Sequence, residues 1–341
     1  MNYPLFLLLL ISQVFIQKVQ ENQQTQNQNF STDSYLASDC KGNYIWAGAM
    51  NLAWNELNDN ILHGKLKLNT SDKIALQMVE KLNNPVFTKN DLDENSYYIK
   101  SGYGQKTVTI INKESRKKFP NKSFEDLDLQ LAETDIISYA YFLKEVAYKN
   151  TFEKGNTTFN DIKVKGFFAS NKMQKENVSV LKYESDDKFI ISLVLKDNND
   201  QMILAKGYPR NFLQKLINEI NEYGKKELST IKSSDVFSVP SISLSHFREY
   251  NELIYKSLLN KRFESYQIQK MFENIKFDMD EKGARVENEA VIVLAKSIQF
   301  DDEKPRKFIM DKPYWIIMKR KDSPNPYFIL GINNTNLMSE L

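Results

Sequence analysis

The chain has 341 residues, 41% apolar and 26% charged, enough to bury a sizeable core with the balance of an ordinary globular protein. Its 46 Lys and Arg against 44 Asp and Glu leave a net charge of +2, which excludes a bulk electrostatic pull toward nucleic acid or an anionic membrane. A single cysteine, Cys40, excludes an intramolecular disulfide, and two distant histidines, His63 and His246, exclude a zinc site of His and Cys ligands and leave little from which to build a histidine-activated nucleophile. No cofactor and no enzymatic activity are therefore expected.

The first element is the apolar run Leu5-Phe6-Leu7-Leu8-Leu9-Leu10-Ile11, extended by Val14, Phe15 and Ile16. It has the length of a signal-peptide core and falls short of the ~20 residues that span a bilayer, so residues 1–16 are expected to direct secretion and no stable membrane span is expected. No Lys or Arg precedes the run and no small-x-small cleavage site follows it, which leaves an uncleaved anchor as the alternative. Residues 17–39, rich in Gln and Asn, bury too little to offset their ordering entropy and are expected to form a disordered leader. With no internal repeat or second low-complexity linker, residues 40–341 are expected to fold as one domain.

Trp46, Met50, Ala53, Trp54, Leu57 and Ile61 recur at helical spacing, with Gly64 as a stop. Ile74, Ala75, Met78, Val79 and Leu82 predict a second helix, capped by Ser71-Asp72 and ended by Asn83-Asn84-Pro85. Tyr97–Lys100 and Val108–Ile111 read as a hairpin turning through Gly102-Tyr103-Gly104. Arg116-Lys117-Lys118 with Lys122 reads as a solvated basic loop around Pro120. From Asp135 strands dominate, at 136–142, 178–183, 189–195, 236–244, 275–279, 291–298, 314–318 and 327–332. Two helices interrupt them, one carrying Leu213, Leu216, Ile217 and Ile220, the other running from His246 to Phe263 with Tyr250, Leu253 and Leu258. Irregular mixing of this kind makes the class α+β with largely antiparallel sheets and packed helices.

Several of these segments, in this order, resemble the serpins. They are Ile137–Lys144 followed by Phe152-Glu153, the strand pair Val180–Tyr183 and Phe189–Leu195, and Phe237-Ser238-Val239-Pro240. Ile275–Gly283 is similar to the strand that enters the reactive-loop hinge, and Asp311-Lys312-Pro313-Tyr314-Trp315 and Tyr327–Gly331 to the two closing strands. The resemblance covers residues 135–335; the usual Ser-Pro-rich segment of the N-terminal part is missing. It implies a serpin-like fold and inhibition of a serine protease through an exposed loop, which is cut and then enters the central sheet as a new strand.

In family terms the hinge comprises Glu281, Gly283, Ala284, Val286, Asn288 and Ala290. It lacks the run of small residues of inhibitory serpins. With period two, however, Ala284, Val286, Asn288 and Ala290 share one face, and Arg285, Glu287 and Glu289 share the other. Burying the Asn288 amide unpaired would cost ~1–3 kcal/mol, too little to forbid an inserted strand. The same alternation also suits an ordinary edge hairpin, and Val291–Ala295 suits a core strand. Family spacing places the scissile bond at Lys296-Ser297, which implies a trypsin-like protease as partner, with Lys304 and Arg306 as alternatives.

Two other readings stand beside this one. An exported, non-inhibitory binding or structural protein on the same fold fits the altered hinge. An unrelated secreted enzyme would draw on acidic runs such as Asp91/Asp93/Glu94, Glu125/Asp126/Asp128 or Asp301/Asp302/Glu303, none of which has a partner base or metal-ligand spacing. Sequons at Asn29, Asn69, Asn121, Asn156, Asn177 and Asn333 would accept glycans on a eukaryotic secretory route.

Overall fold

The computed structural model describes residues 30–32, 42–209, 211, 213–224, 226, 228–284 and 305–341. Long apolar runs form its centre. Tyr314–Arg320 (β17) and Pro326–Ile332 (β18) are buried along almost their whole length, because both faces of their sheet are covered. That sheet has eight strands, in the order Phe30–Thr32 (β1), Asn43–Ala47 (β2), β18, β17, Asp200–Lys206 (β10), Lys188–Leu193 (β9), Val178–Ser185 (β8) and Ser229–Thr230 (β11). Leu213, Leu216, Ile217 and Ile220 pack helix Leu213–Tyr223 inward at i, i+3, i+4 and i+7, and Glu219 on it meets Lys182 of β8 at 3.1 Å.

A four-stranded sheet, ordered Lys307–Ile309 (β16), Val236–Pro240 (β12), Ile162–Phe168 (β7) and Glu153–Phe159 (β6), is packed around aromatic rings. Phe152 lies 5.4 Å from Phe167 and 5.0 Å from both Phe237 and Tyr148. Three strand pairs complete the sheets: Tyr97–Tyr103 (β3) with Ile136–Phe142 (β4), Ile242–Glu249 (β13) with Phe272–Met279 (β14), and Val146–Ala147 (β5) with Gly283–Ala284 (β15).

Helices Ala49–Leu57 (α1) and Lys73–Leu82 (α2) belong to a second apolar cluster that contains Trp54, Leu66, Met78, Leu82, Tyr250, Leu253 and Leu258. Asn83 ties it together, accepting from Trp54 Nε1 at 3.0 Å and donating to the Leu66 carbonyl at 2.9 Å. Asp72 caps α2 as expected, accepting from the Ile74 and Ala75 amides.

Four local expectations are corrected. Arg116-Lys117-Lys118 form the last turn of a helix and Lys122 is buried, instead of the expected solvated loop. Trp46 lies on β2, fully buried against Phe87, and the helix begins only at Ala49. Val108–Ile111 is helical, not the second arm of a hairpin. Gly104, at φ +64, turns the chain out of β3 and donates its amide to the Asp135 carbonyl. Helix Gly104–Lys118 (α3) follows, with Thr107, Val108, Ile111 and Ser115 inward, and β3 takes β4 as its partner instead. His246 belongs to β13, where buried Leu244 and His246 alternate with exposed Ser243 and Ser245. Beyond Glu249 the chain proceeds by turns, with Tyr255 and Arg262 at positive φ, so the helical spacing of Tyr250, Leu253 and Leu258 fills the second cluster without a helix.

Among the described sequons, Asn69, Asn121, Asn156 and Asn333 are exposed, whereas Asn177 is fully buried with its Nδ2 bonded to the Asn150 carbonyl. The lengths of residues 1–16 and 17–39 fall outside these observations except for β1.

Candidate functional site

The site is built on two strand edges. Strand β4 hydrogen-bonds β3, and β14 hydrogen-bonds β13; among the described residues no ladder joins β4 to β14. Yet both face helix α1, and each packs a ring against β18. From β4, Phe142 packs edge-on to Tyr327 of β18 at 6.3 Å, and Ser138 Oγ donates to the Ala53 carbonyl of α1 at 2.6 Å. From β14, Phe277 stacks on Phe328, the next residue of β18, at 4.7 Å. Glu273 faces the Met50 amide, one turn before Ala53 on α1. The two strands thus border a slot across which, among the described residues, no ladder forms, and a strand edge without a ladder is a template for a further strand.

One end of the slot is fastened. Beyond β4 and β14 the chains meet as the antiparallel pair β5–β15, Gly283 opposite Ala147 and Ala284 opposite Val146. The Tyr148 amide donates to the Lys282 carbonyl at 3.1 Å and the Phe152 amide to the Glu281 carbonyl at 2.8 Å. Because both strands lead into this pair, they run toward the same end of the slot. Gly283 is required there: it sits at φ +153, and a Cβ on it would lie 2.2 Å from the Val146 carbonyl oxygen.

Residues 285–304 follow this pair in sequence and lie outside the described residues, which resume at Pro305. Arg306 fastens the return, its Nη2 2.6 Å from Oδ2 of Asp235 and its amide 3.0 Å from Oδ1, just before β16 pairs in parallel with β12. The Asp235 side chain is 2% exposed. Asp235→Ala is expected to cost about 2–3 kcal/mol by stranding the guanidinium, read as a lower urea midpoint at unchanged slope.

The β13–β14 pair carries buried ionisable groups on its core face. Burial pushes the Glu273 carboxyl up to about 8, against the lowering effect of Tyr250, whose hydroxyl donates to Oε2 at 3.0 Å, and of the Met50 amide. Burial, and then the charge of Arg248, pushes His246 down to about 4. Arg248, opposite Glu273 in the ladder, directs its guanidinium to Glu252 at 2.5 Å and over the Tyr250 ring instead.

Of the sequence-predicted hinge residues, Glu281, Gly283 and the backbone of Ala284 come together at the fastened end. Val286, Asn288, Ala290, Lys296 and Ser297, and strand 291–298, lie outside the described residues. The acidic runs do not converge: Asp91 accepts from Ser323 Oγ and from the Thr88 amide, and Asp126 pairs with Arg116. Among the described residues no three His, Cys, Asp or Glu side chains gather at a metal-sized site. Sequence reasoning missed Glu273, although its phase with Ile275, Phe277 and Met279 was a signal. It also missed Asp235–Arg306, which no local pattern marks.

No protein-family model and no curated protein sequence matches the chain. Solved structures do. Mouse protein-Z dependent protease inhibitor aligns over 86% of this chain and 91% of its own, with 14% identity and a TM-score of 0.53. Human glycosylated kallistatin aligns over 85% and 91%, with 12% identity and a TM-score of 0.51. Serpin48, a serpin of the insect Tenebrio molitor, aligns over 86% and 92%, with 11% identity and a TM-score of 0.45. With its α+β architecture and antiparallel sheets, the chain has a serpin-like fold.

Proposed function

We propose that this protein is a secreted serpin-like inhibitor of a trypsin-like serine protease, and that residues 285–304 are its reactive loop. The observation that carries the reading is the slot: two strands that run the same way, both facing α1, joined through the β5–β15 pair and with no ladder between them among the described residues. The inhibitory relative named above for its action on a protease shares this fold. In the reaction, the protease serine attacks the carbonyl carbon of Lys296. The Lys296-Ser297 peptide bond breaks, Ser297 leaves as the free amine with the proton, and Lys296 stays esterified to the protease. Entry of 284–296 between β4 and β14 then converts exposed edges into paired ladder, carrying the protease away before water cleaves the ester. Ala284, Val286, Asn288 and Ala290 are the side chains that would face inward. Residues 1–16 would direct export and 17–39 would form the leader. Among the described residues no helix is long and apolar enough to cross a membrane.

Limited trypsin cleavage followed by thermal denaturation tests this. A single cut within 285–304 is expected to raise Tm by roughly 10 °C or more, the gain of several kcal/mol on a domain of this size. A cut there with no gain would leave the serpin-like fold in the service of the second reading, a non-inhibitory exported binding protein, which the charged Arg285, Glu287 and Glu289 favour.

A further inference from the structure

The four-stranded sheet ends on β6, which pairs with β7 on one side and, among the described residues, with no strand on the other. Asn160 and Asp161, at φ +47 and +66, turn the chain from β6 into β7 as a two-residue hairpin closed by Phe159 and Ile162. Which backbone groups of β6 reach β7 follows from the bonds that β7 makes elsewhere. Lys165 directs both of its backbone groups to the far side, its amide donating to the Ser339 carbonyl at 2.9 Å and its carbonyl accepting from the Ser241 amide at 3.0 Å. The Lys163 carbonyl likewise accepts from the Leu341 amide at 3.3 Å. Asn156 stands opposite Lys165 and Thr158 opposite Lys163. Both are therefore non-hydrogen-bonded pairs of the antiparallel ladder, and the N–H and C=O groups of Asn156 and Thr158 point out from the open edge.

That edge lacks the usual guards. Residues 155–159 include no charged side chain and no proline, and the two threonines among them favour extended backbone. An edge of this kind is a template for pairing with another chain. At its centre lies the sequon Asn156-Thr157-Thr158. Asn156 and Thr158 share one face of the strand and are both exposed, and among the described residues neither side chain makes a hydrogen bond. Thr157, between them, turns to the other face and meets Ser238 Oγ at 3.1 Å. Asn177 is the contrast: fully buried, with its Nδ2 bonded to the Asn150 carbonyl, it leaves no room for a sugar.

We infer that Asn156 carries an N-linked glycan and that this glycan guards the β6 edge against pairing with a second copy of the chain. A strand added to the edge would lie ~4.8 Å from β6, within the volume that a glycan on a mid-strand side chain sweeps. The sheet itself is undisturbed, because Asn156 faces solvent and its N–H and C=O make no bond to β7. The inference rests on the secretion reading given above, since N-glycans are added on the eukaryotic secretory route.

The test uses the full chain secreted by a eukaryotic cell line, with its glycopeptides mapped by mass spectrometry and its self-association followed by light scattering below Tm. Asn156 is expected to carry a glycan and Asn177 none. Asn156→Gln and Thr158→Ala both abolish the sequon, and each should speed self-association by roughly five-fold or more at unchanged Tm. Thr158→Lys abolishes it as well but sets a charge on the edge, and should associate at the wild-type rate. Asn333→Gln, which removes a sequon just beyond β18, should change nothing. Glycans on Asn69 and Asn333 with none on Asn156 would overturn this inference and leave the secretion reading standing. No glycan on any sequon would overturn both. With Asn156 modified, an unchanged rate in Asn156→Gln and Thr158→Ala would overturn the guard. So would equal acceleration in Asn333→Gln or Thr158→Lys.

Discussion

Glu273→Gln is expected to raise stability at pH 9 by roughly 3–5 kcal/mol and to leave it nearly unchanged at pH 5. The wild-type carboxyl titrates at about 8 in the folded chain against an ordinary value of 4.5. Between those values the folded state holds a proton that the unfolded state has released, so stability is full below pH 4.5 and falls as pH rises through 8. Burial is the cause. The group lies between β14 and α1 with Tyr250 and the Met50 amide as donors, and Arg248, the one cation opposite it, is committed to Glu252. Gln keeps the shape and accepts the same hydrogen bonds without the charge. His246 on the same face titrates in the other sense: its pKa is depressed to about 4, so its contribution is present above 6.5 and is lost as pH falls through 4. Both proteins share that acid limb, so the two stability profiles should coincide below pH 5 and part above pH 6. A wild-type profile flat from pH 5 to 9 would show that Glu273 is solvated or paired in a way this packing does not allow.

What the sequence displayed depends on whether the signal was local. Tyr314–Met318 and Tyr327–Ile332 are uninterrupted apolar runs, and Ile275, Phe277 and Met279 keep a clean period of two, so those strands were legible. Leu213–Ile220 was equally clear as one helical stripe. Long-range pairing was not. The apolar, β-branched residues around Val108 suit a strand or a buried helix face alike, and the choice is made by Gly104 and by a partner for β3 supplied from Ile136–Phe142. Likewise, Tyr250, Leu253 and Leu258 carry helical spacing because they fill a cluster with α1 and α2, which no window over 246–263 contains.

The site follows the same division. Gly283 within a strand-turn segment was readable, but the slot is defined, among the described residues, by a missing ladder between strands more than 100 residues apart in sequence, and a missing ladder leaves no motif. Its fastenings are also non-local: Arg306 reaches Asp235, and Tyr148 reaches Lys282. A charged residue at a core phase was the one readable trace. Glu273 interrupts an inward apolar set, and such an interruption on a strand marks either an error of phase or a buried ionisable group.

Gly283→Val is expected to have the second large effect, because it strikes the short ladder that, among the described residues, fastens one end of the slot. At φ +153 a β-branched residue is strained before any contact is considered, and its Cβ would lie 2.2 Å from the Val146 oxygen and 2.8 Å from Ala147 Cα, both backbone atoms that no rotamer change can move. The β5–β15 pair must open, taking with it the Tyr148 and Phe152 hydrogen bonds to Lys282 and Glu281. A loss of about 3 kcal/mol and a fall in Tm of roughly 6–12 °C should follow, together with a new protease cut at Lys282, whose carbonyl now accepts from the Tyr148 amide. Gly64→Ala supplies the control, since nothing lies within 4 Å of a Cβ at that position, and it should leave Tm within a degree or two. If Gly283→Val matched that control, the hinge would not be closed on Val146, and residues 281–284 would be free to move without the slot opening. If it opened the β5–β15 pair and also sped the gain of heat resistance after cleavage, that pair would be the barrier to strand entry at this end of the slot.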